Sequence, residues 1–175
     1  MKRKYKCTKQ KHVCDDSDNE SSNDSCVSVV NNNVFFYCSV SRENVLKLHC
    51  ALEKVQQDIF HENLEDKKLN EINLYIQSEG GDLFAGIGSM NYIENMKVHV
   101  NVIIDGFVAS AASIIALGGH TIYMQKYATM LIHQLSTGFF GKYEEIMEDV
   151  DNTKKSMTIL KSIYENKTKI PPKLK

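Results

Sequence analysis

The chain has 175 residues, of which 42% are hydrophobic and 25% charged, proportions of one ordinary globular domain rather than of a fibre or a wholly disordered chain. A net charge of −1 provides no general attraction for nucleic acid or for an anionic membrane. The uncharged run from Gly106 to Gly119 is too short to cross a bilayer, and the basic start Met1 to Lys11 lacks the apolar core of a signal peptide, so a cytoplasmic protein without a membrane partner is expected.

Residues 1–33 read as a charged, disordered tail. Lys2, Arg3, Lys4, Lys6, Lys9 and Lys11 precede a block of Asp15, Asp16, Asp18, Glu20 and Asp24 among Ser and Asn, and such sequence buries too little apolar surface to offset the entropy of ordering it. The five cysteines, Cys7, Cys14, Cys26, Cys38 and Cys50, contain no C-x-x-C pair. Neither a metal nor another cofactor is expected from them. The folded domain is placed at 34–175, opening on the β-branched and aromatic run Val34 to Val40.

From Arg42 to about Phe60, the residues Val45, Leu48, Leu52, Val55 and Ile59 recur at helical spacing. Glu71 to Gln77 alternates with period two and predicts a strand, followed by a turn at Glu79 to Asp82 and a helix over 83–96. A strand at 98–104, a short helix at 110–117, strands at 121–123 and 130–133 and a long helix at 142–166 complete the chain. Strands alternating with crossover helices define an α/β fold with a mainly parallel sheet.

Chemistry-bearing residues fall at three places. Gly80-Gly81 follows a strand, where the backbone can turn sharply and leave N–H groups bare toward a ligand, although a plain strand-to-helix turn would read the same way. Ser110 opens a short helix among Ala109, Ala111 and Ala112. A hydroxyl there is accessible beside a helix N-terminus, and it is equally what a helix cap uses. Ser113 competes as a nucleophile but lies one turn inside the helix. His133 ends an apolar strand, and a serine nucleophile needs such a base nearby. Separately each is as readily structural as catalytic; in order along one chain they inform one another.

Leu74 to Pro171 resembles the proteolytic subunit of the Clp protease, a self-compartmentalising serine peptidase. Tyr75-Ile-Gln-Ser-Glu-Gly-Gly81 is similar to the family's Y-I-N-S-P-G-G, Gly106-Phe-Val-Ala-Ser110 to its G-x-A-A-S turn, and Met130-Leu-Ile-His-Gln134 to its V-M-I-H-Q-P. The resemblance implies a ClpP/crotonase-like fold with a long handle helix over 142–166. It implies Ser110 as nucleophile, His133 as general base, and the N–H groups of Gly81 and Ala111 as the oxyanion hole. It further implies polypeptide substrates, homo-oligomeric heptameric rings meeting through the handle, and an AAA+ unfoldase as partner.

Three departures accompany the resemblance. The family's catalytic Asp would fall past Lys175, which leaves a continued chain, a Ser–His dyad with His133 held by a backbone carbonyl, or a catalytically silent ring subunit. Asp149 and Asp151 lie on the handle and are poor substitutes. Glu79 and Asp82 bracket the glycine pair and add negative charge beside the expected oxyanion. The charged N-terminus lacks the family's apolar axial loop, which bears on unfoldase docking. An acyl enzyme of the crotonase fold is a further rival, one that has no need of a serine followed by a histidine.

Overall fold

Val27–Val30 (β1) and Asn33–Phe36 (β2) form an antiparallel hairpin whose two-residue turn places Asn31 at φ 53°, a conformation asparagine tolerates better than most residues. The structure, a computed structural model, describes residues 26–62 and 70–169. The hairpin corrects the expected boundary at residue 33, because Val27 and its neighbours are part of the sheet. A strand this short is specified by its pairing, not by its own composition. The rest of the expected tail, 1–25, and the segment 170–175 lie outside the described residues. The strand expected to reach Val40 ends at Phe36, and Val40 makes only an isolated bridge to Gly81.

The helix Arg42–Glu62 (α1) buries its predicted stripe, Val45, Leu48, Leu52, Val55 and Ile59, against β2 and Glu71–Ser78 (β3). In β3 the alternation is clean: Ile72, Leu74 and Ile76 are fully buried, while Asn73 and Tyr75 face the other side. His99–Ala109 (β4) lies between β3 and two short strands, Thr121–Met124 (β5) and Thr129–Leu131 (β6). As the central strand it carries a continuous buried run from Val100 to Ile104 rather than an alternation. It runs five residues past its predicted end at 104, because β6 pairs with its final three residues. Apart from the β1–β2 hairpin every pairing is parallel. A row of side-chain amides helps fix the register: Asn73 donates to Asn33 at 3.0 Å and Asn101 donates to Asn73 at 3.2 Å.

Leu83–Glu94 (α2) and Ala111–Ala116 (α3) pack together over the same face as α1. The last helix, Tyr143–Lys167 (α4), is anchored by its C-terminal half, where Leu160, Met157, Ile163 and Tyr164 join a small cluster with Met90, Ile114 and Leu117. Lys167 pairs with Glu94 at the end of α2. Toward its N-terminus the apolar stripe loses its cover, and Tyr143 and Met147 are exposed.

Candidate active site

β3 delivers the glycine turn to the foot of β4's exit. The buried Ser78 hydroxyl accepts the Gly80 N–H at 3.1 Å, and Gly80 O and Asp82 N bond the two sides of Val40, each at 2.8 Å. Gly80 sits at φ 97° with Ser110 beside it, and Gly81 sits at φ 147° with Val40 O where a Cβ would lie. No side chain fits either position. The Asp82 carboxylate accepts the Ala85 N–H at 3.0 Å and caps α2, with Arg42 3.9 Å away. The carboxylate expected to add charge beside the oxyanion position is thus directed to the N-terminus of α2.

β4 ends at Ala109, and Ser110 turns the chain into α3 with φ 54° and ψ −127°. For a residue with a Cβ this is strained backbone, of order 1–3 kcal/mol, and it persists only where the surroundings hold it. Here Ser110 N donates to Leu131 O at 3.0 Å, while Ser110 O accepts the Ser113 N–H at 3.0 Å. The Ser110 side chain makes no cap bond, and among the described residues no hydrogen bond takes up its hydroxyl at the turn. Ser113, the competing candidate, is fully buried, and its hydroxyl is bonded to Ser110 O and to Tyr164, both at 2.6 Å.

His133 lies two residues past β6, which stops at Leu131 instead of reaching the histidine. Its ring is exposed, with Nδ1 2.6 Å from Gln134 O. A carbonyl only accepts, so Nδ1 carries the proton and Nε2 is left as the basic nitrogen. Ser110 and His133 line one cleft with Gly81, Ala111, Leu135 and Tyr164, but no hydrogen bond joins the hydroxyl to the imidazole. Among the described residues no carboxylate reaches His133, and Asp151 pairs with Lys154 at 2.8 Å, which lowers the pKa of its carboxyl. The N–H groups of Gly81 and Ala111 donate to no described group. Among the described residues no cluster of three or more His, Cys, Asp or Glu side chains could hold a metal, and no helix is long and apolar enough to cross a membrane.

Tyr164 is the residue of this cleft that sequence reasoning missed. On helical spacing it was one more member of an apolar stripe, and nothing local signals the partner of its hydroxyl.

A mainly parallel sheet thus brings a serine on strained backbone, a glycine turn and a histidine to one cleft. The family model for Clp protease matches residues 22–174, and this chain belongs to that family. It is 32% identical over 99 residues to the ATP-dependent Clp protease proteolytic subunit of Mesostigma viride, an alignment covering 55% of this chain and 43% of that one. It is 39% identical over 87 residues to ATP-dependent Clp protease proteolytic subunit 2 of Borreliella burgdorferi, covering 49% and 43%. The aligned region thus spans under half the length of these curated relatives. A solved ClpP1 mutant from Listeria monocytogenes superposes with a TM-score of 0.64 at 20% identity, over 78% of this chain and 71% of that chain, which shows the ClpP fold.

Proposed function

We propose that this chain is a serine endopeptidase that hydrolyses unfolded polypeptides or peptides. The observation that carries the reading is Ser110: a free hydroxyl on strained backbone, in one cleft with His133 and beside the unused N–H groups of Gly81 and Ala111. In this reading His133 Nε2 takes the hydroxyl proton as Ser110 Oγ attacks the peptide carbonyl. The developing oxyanion is met by the Gly81 and Ala111 N–H groups, where one such donor is worth about 10²–10³ in rate. The same imidazole then gives its proton to the leaving amine, and water repeats the sequence on the acyl-enzyme. Gln134 O holds the ring in the required tautomer, the place an aspartate takes in a full triad.

Ring assembly through the exposed part of α4 and docking of an AAA+ unfoldase belong to the same proposal. One observation favours a second reading, a catalytically silent ring subunit: the Ser110 hydroxyl and His133 are not hydrogen-bonded to one another. Treatment of the pure protein with a fluorophosphonate, followed by mass mapping, decides between them. Modification at Ser110 that Ser110→Ala abolishes supports the peptidase. An unmodified, folded protein supports the silent subunit, and modification at Ser113 overturns the assignment of the nucleophile.

A further inference from the structure

The peptide unit joining Ser110 to Ala111 carries two groups of interest on one rigid plane. Its N–H, that of Ala111, is free and belongs to a residue lining the cleft. Its C=O, that of Ser110, points the opposite way, as the trans geometry requires. Fixing the carbonyl therefore aims the N–H.

The carbonyl is fixed by a relay that begins on α4. Ser113 has a single hydroxyl hydrogen, and Ser110 O can only accept, so the 2.6 Å contact between them uses that hydrogen. The 2.6 Å contact between Ser113 Oγ and Tyr164 OH must then have the tyrosine as donor. Burial raises the pKa of the Tyr164 phenol, which keeps it a donor throughout the neutral range. The Ser113 N–H adds a second bond to the same carbonyl at 3.0 Å. The backbone bond alone comes with any helix turn, whereas the two hydroxyls are particular to these side chains. Tyr164 and Ser113 lie 51 residues apart in sequence.

We propose that Tyr164 and Ser113 are positioning residues that act through the Ser110–Ala111 peptide, holding its carbonyl inward so that the Ala111 N–H faces the oxyanion. This rests on the reading of Ser110 as nucleophile. An interaction that serves the oxyanion operates in the transition state and not in substrate binding, so its loss lowers kcat and leaves KM in place.

The test compares the full chain with Ser113→Ala, Ser113→Thr, Tyr164→Phe, the double variant Ser113→Ala/Tyr164→Phe and the control Ser156→Ala, whose hydroxyl bonds only within α4, to Asn152 O. Circular dichroism and thermal melting establish that each is folded. Fluorophosphonate labelling rates at Ser110 and peptide hydrolysis are then measured. Ser113→Ala and Tyr164→Phe are expected to slow both by about tenfold or more with KM within about twofold. The double variant should be no slower than the worse single one, since the two hydroxyls act as a unit. Ser113→Thr, which keeps the hydroxyl, should recover most of the rate, and Ser156→Ala should match the parent. Labelling of Ser113→Ala and Tyr164→Phe at the parent's rate overturns the relay alone, as does a loss that appears only in KM or follows the melting temperature across all variants. A folded parent whose Ser110 takes no label overturns both the relay and the peptidase reading.

Discussion

Gly80 and Ser110 share a space that admits only one side chain: a Cβ on Gly80 would lie 2.7 Å from Ser110 Cβ and 2.6 Å from Ala109 O. The glycine turn of one strand and the serine turn of the next are thus packed as a single unit. Gly80→Ala should cost about 1–3 kcal/mol through the positive φ and the clash together. It should also slow fluorophosphonate labelling of Ser110 by tenfold or more, because the neighbouring backbone must give way. Melting curves and labelling rates check this; an alanine variant with parental values in both would contradict the shared packing.

The strain at Ser110 makes a second, opposite expectation. Glycine adopts φ 54°, ψ −127° without penalty, whereas alanine does not. Both Ser110→Gly and Ser110→Ala should abolish labelling. The glycine variant should nevertheless be more stable than the alanine variant by about 1 kcal/mol, a few degrees in melting temperature for a domain of this size. Equal stabilities would mean that the turn is not strained.

Asp82 offers a separation of stability from chemistry. Its side chain caps α2 through Ala85 N, so Asp82→Ala should cost about 1 kcal/mol while labelling of Ser110 stays within about twofold. A large gain in labelling on removal of the carboxylate would show that its charge does oppose the oxyanion after all.

Mild acid should weaken the fold through His49. Its ring stacks on Tyr92 at 4.0 Å, bonds Ser89 at 3.0 Å, and has its pKa lowered by burial. In the unfolded chain a histidine titrates near 6.5. Above that value both states are neutral and the shift has no effect. As pH falls through about 6.5 the unfolded state takes up the proton first, and stability is lost until the lower native value is passed. His120 adds to this with the same sign, lowered by burial and by His99 beside it. Urea midpoints for the parent should drop between about pH 7.5 and 5.5, and His49→Gln should flatten that dependence.

Assembly follows from the uncovered part of α4. Tyr143 is 72% exposed and Met147 41% exposed on a helix that, among the described residues, packs through Met157 to Tyr164, which is how a helix looks when its apolar stripe has a partner elsewhere. Light scattering should give a multimer, and Met147→Asp should shift it toward smaller species. A monodisperse monomer at micromolar concentration would oppose ring assembly.

What the sequence determined by itself is what local periodicity carries. The α1 stripe from Val45 to Ile59, the alternation of Ile72, Leu74 and Ile76, and the ordering of a glycine turn, a serine turn and a histidine depend on neighbours within a few residues. Such patterns survive in one dimension. The resemblance carried by 75–81, 106–110 and 130–134 added the family.

Tertiary structure decided the rest. β1 exists because β2 pairs with it, and β4 reaches Ala109 because β6 supports its end, so neither boundary is written in the strand concerned. Ser110 and Ser113 carry the same hydroxyl one helical turn apart. One is free because its backbone is twisted to φ 54° with Gly80 beside it, and the other is consumed by Ser110 O and a tyrosine 51 residues away. Which serine can react is a matter of long-range contact, and long-range contact is what a linear reading does not contain.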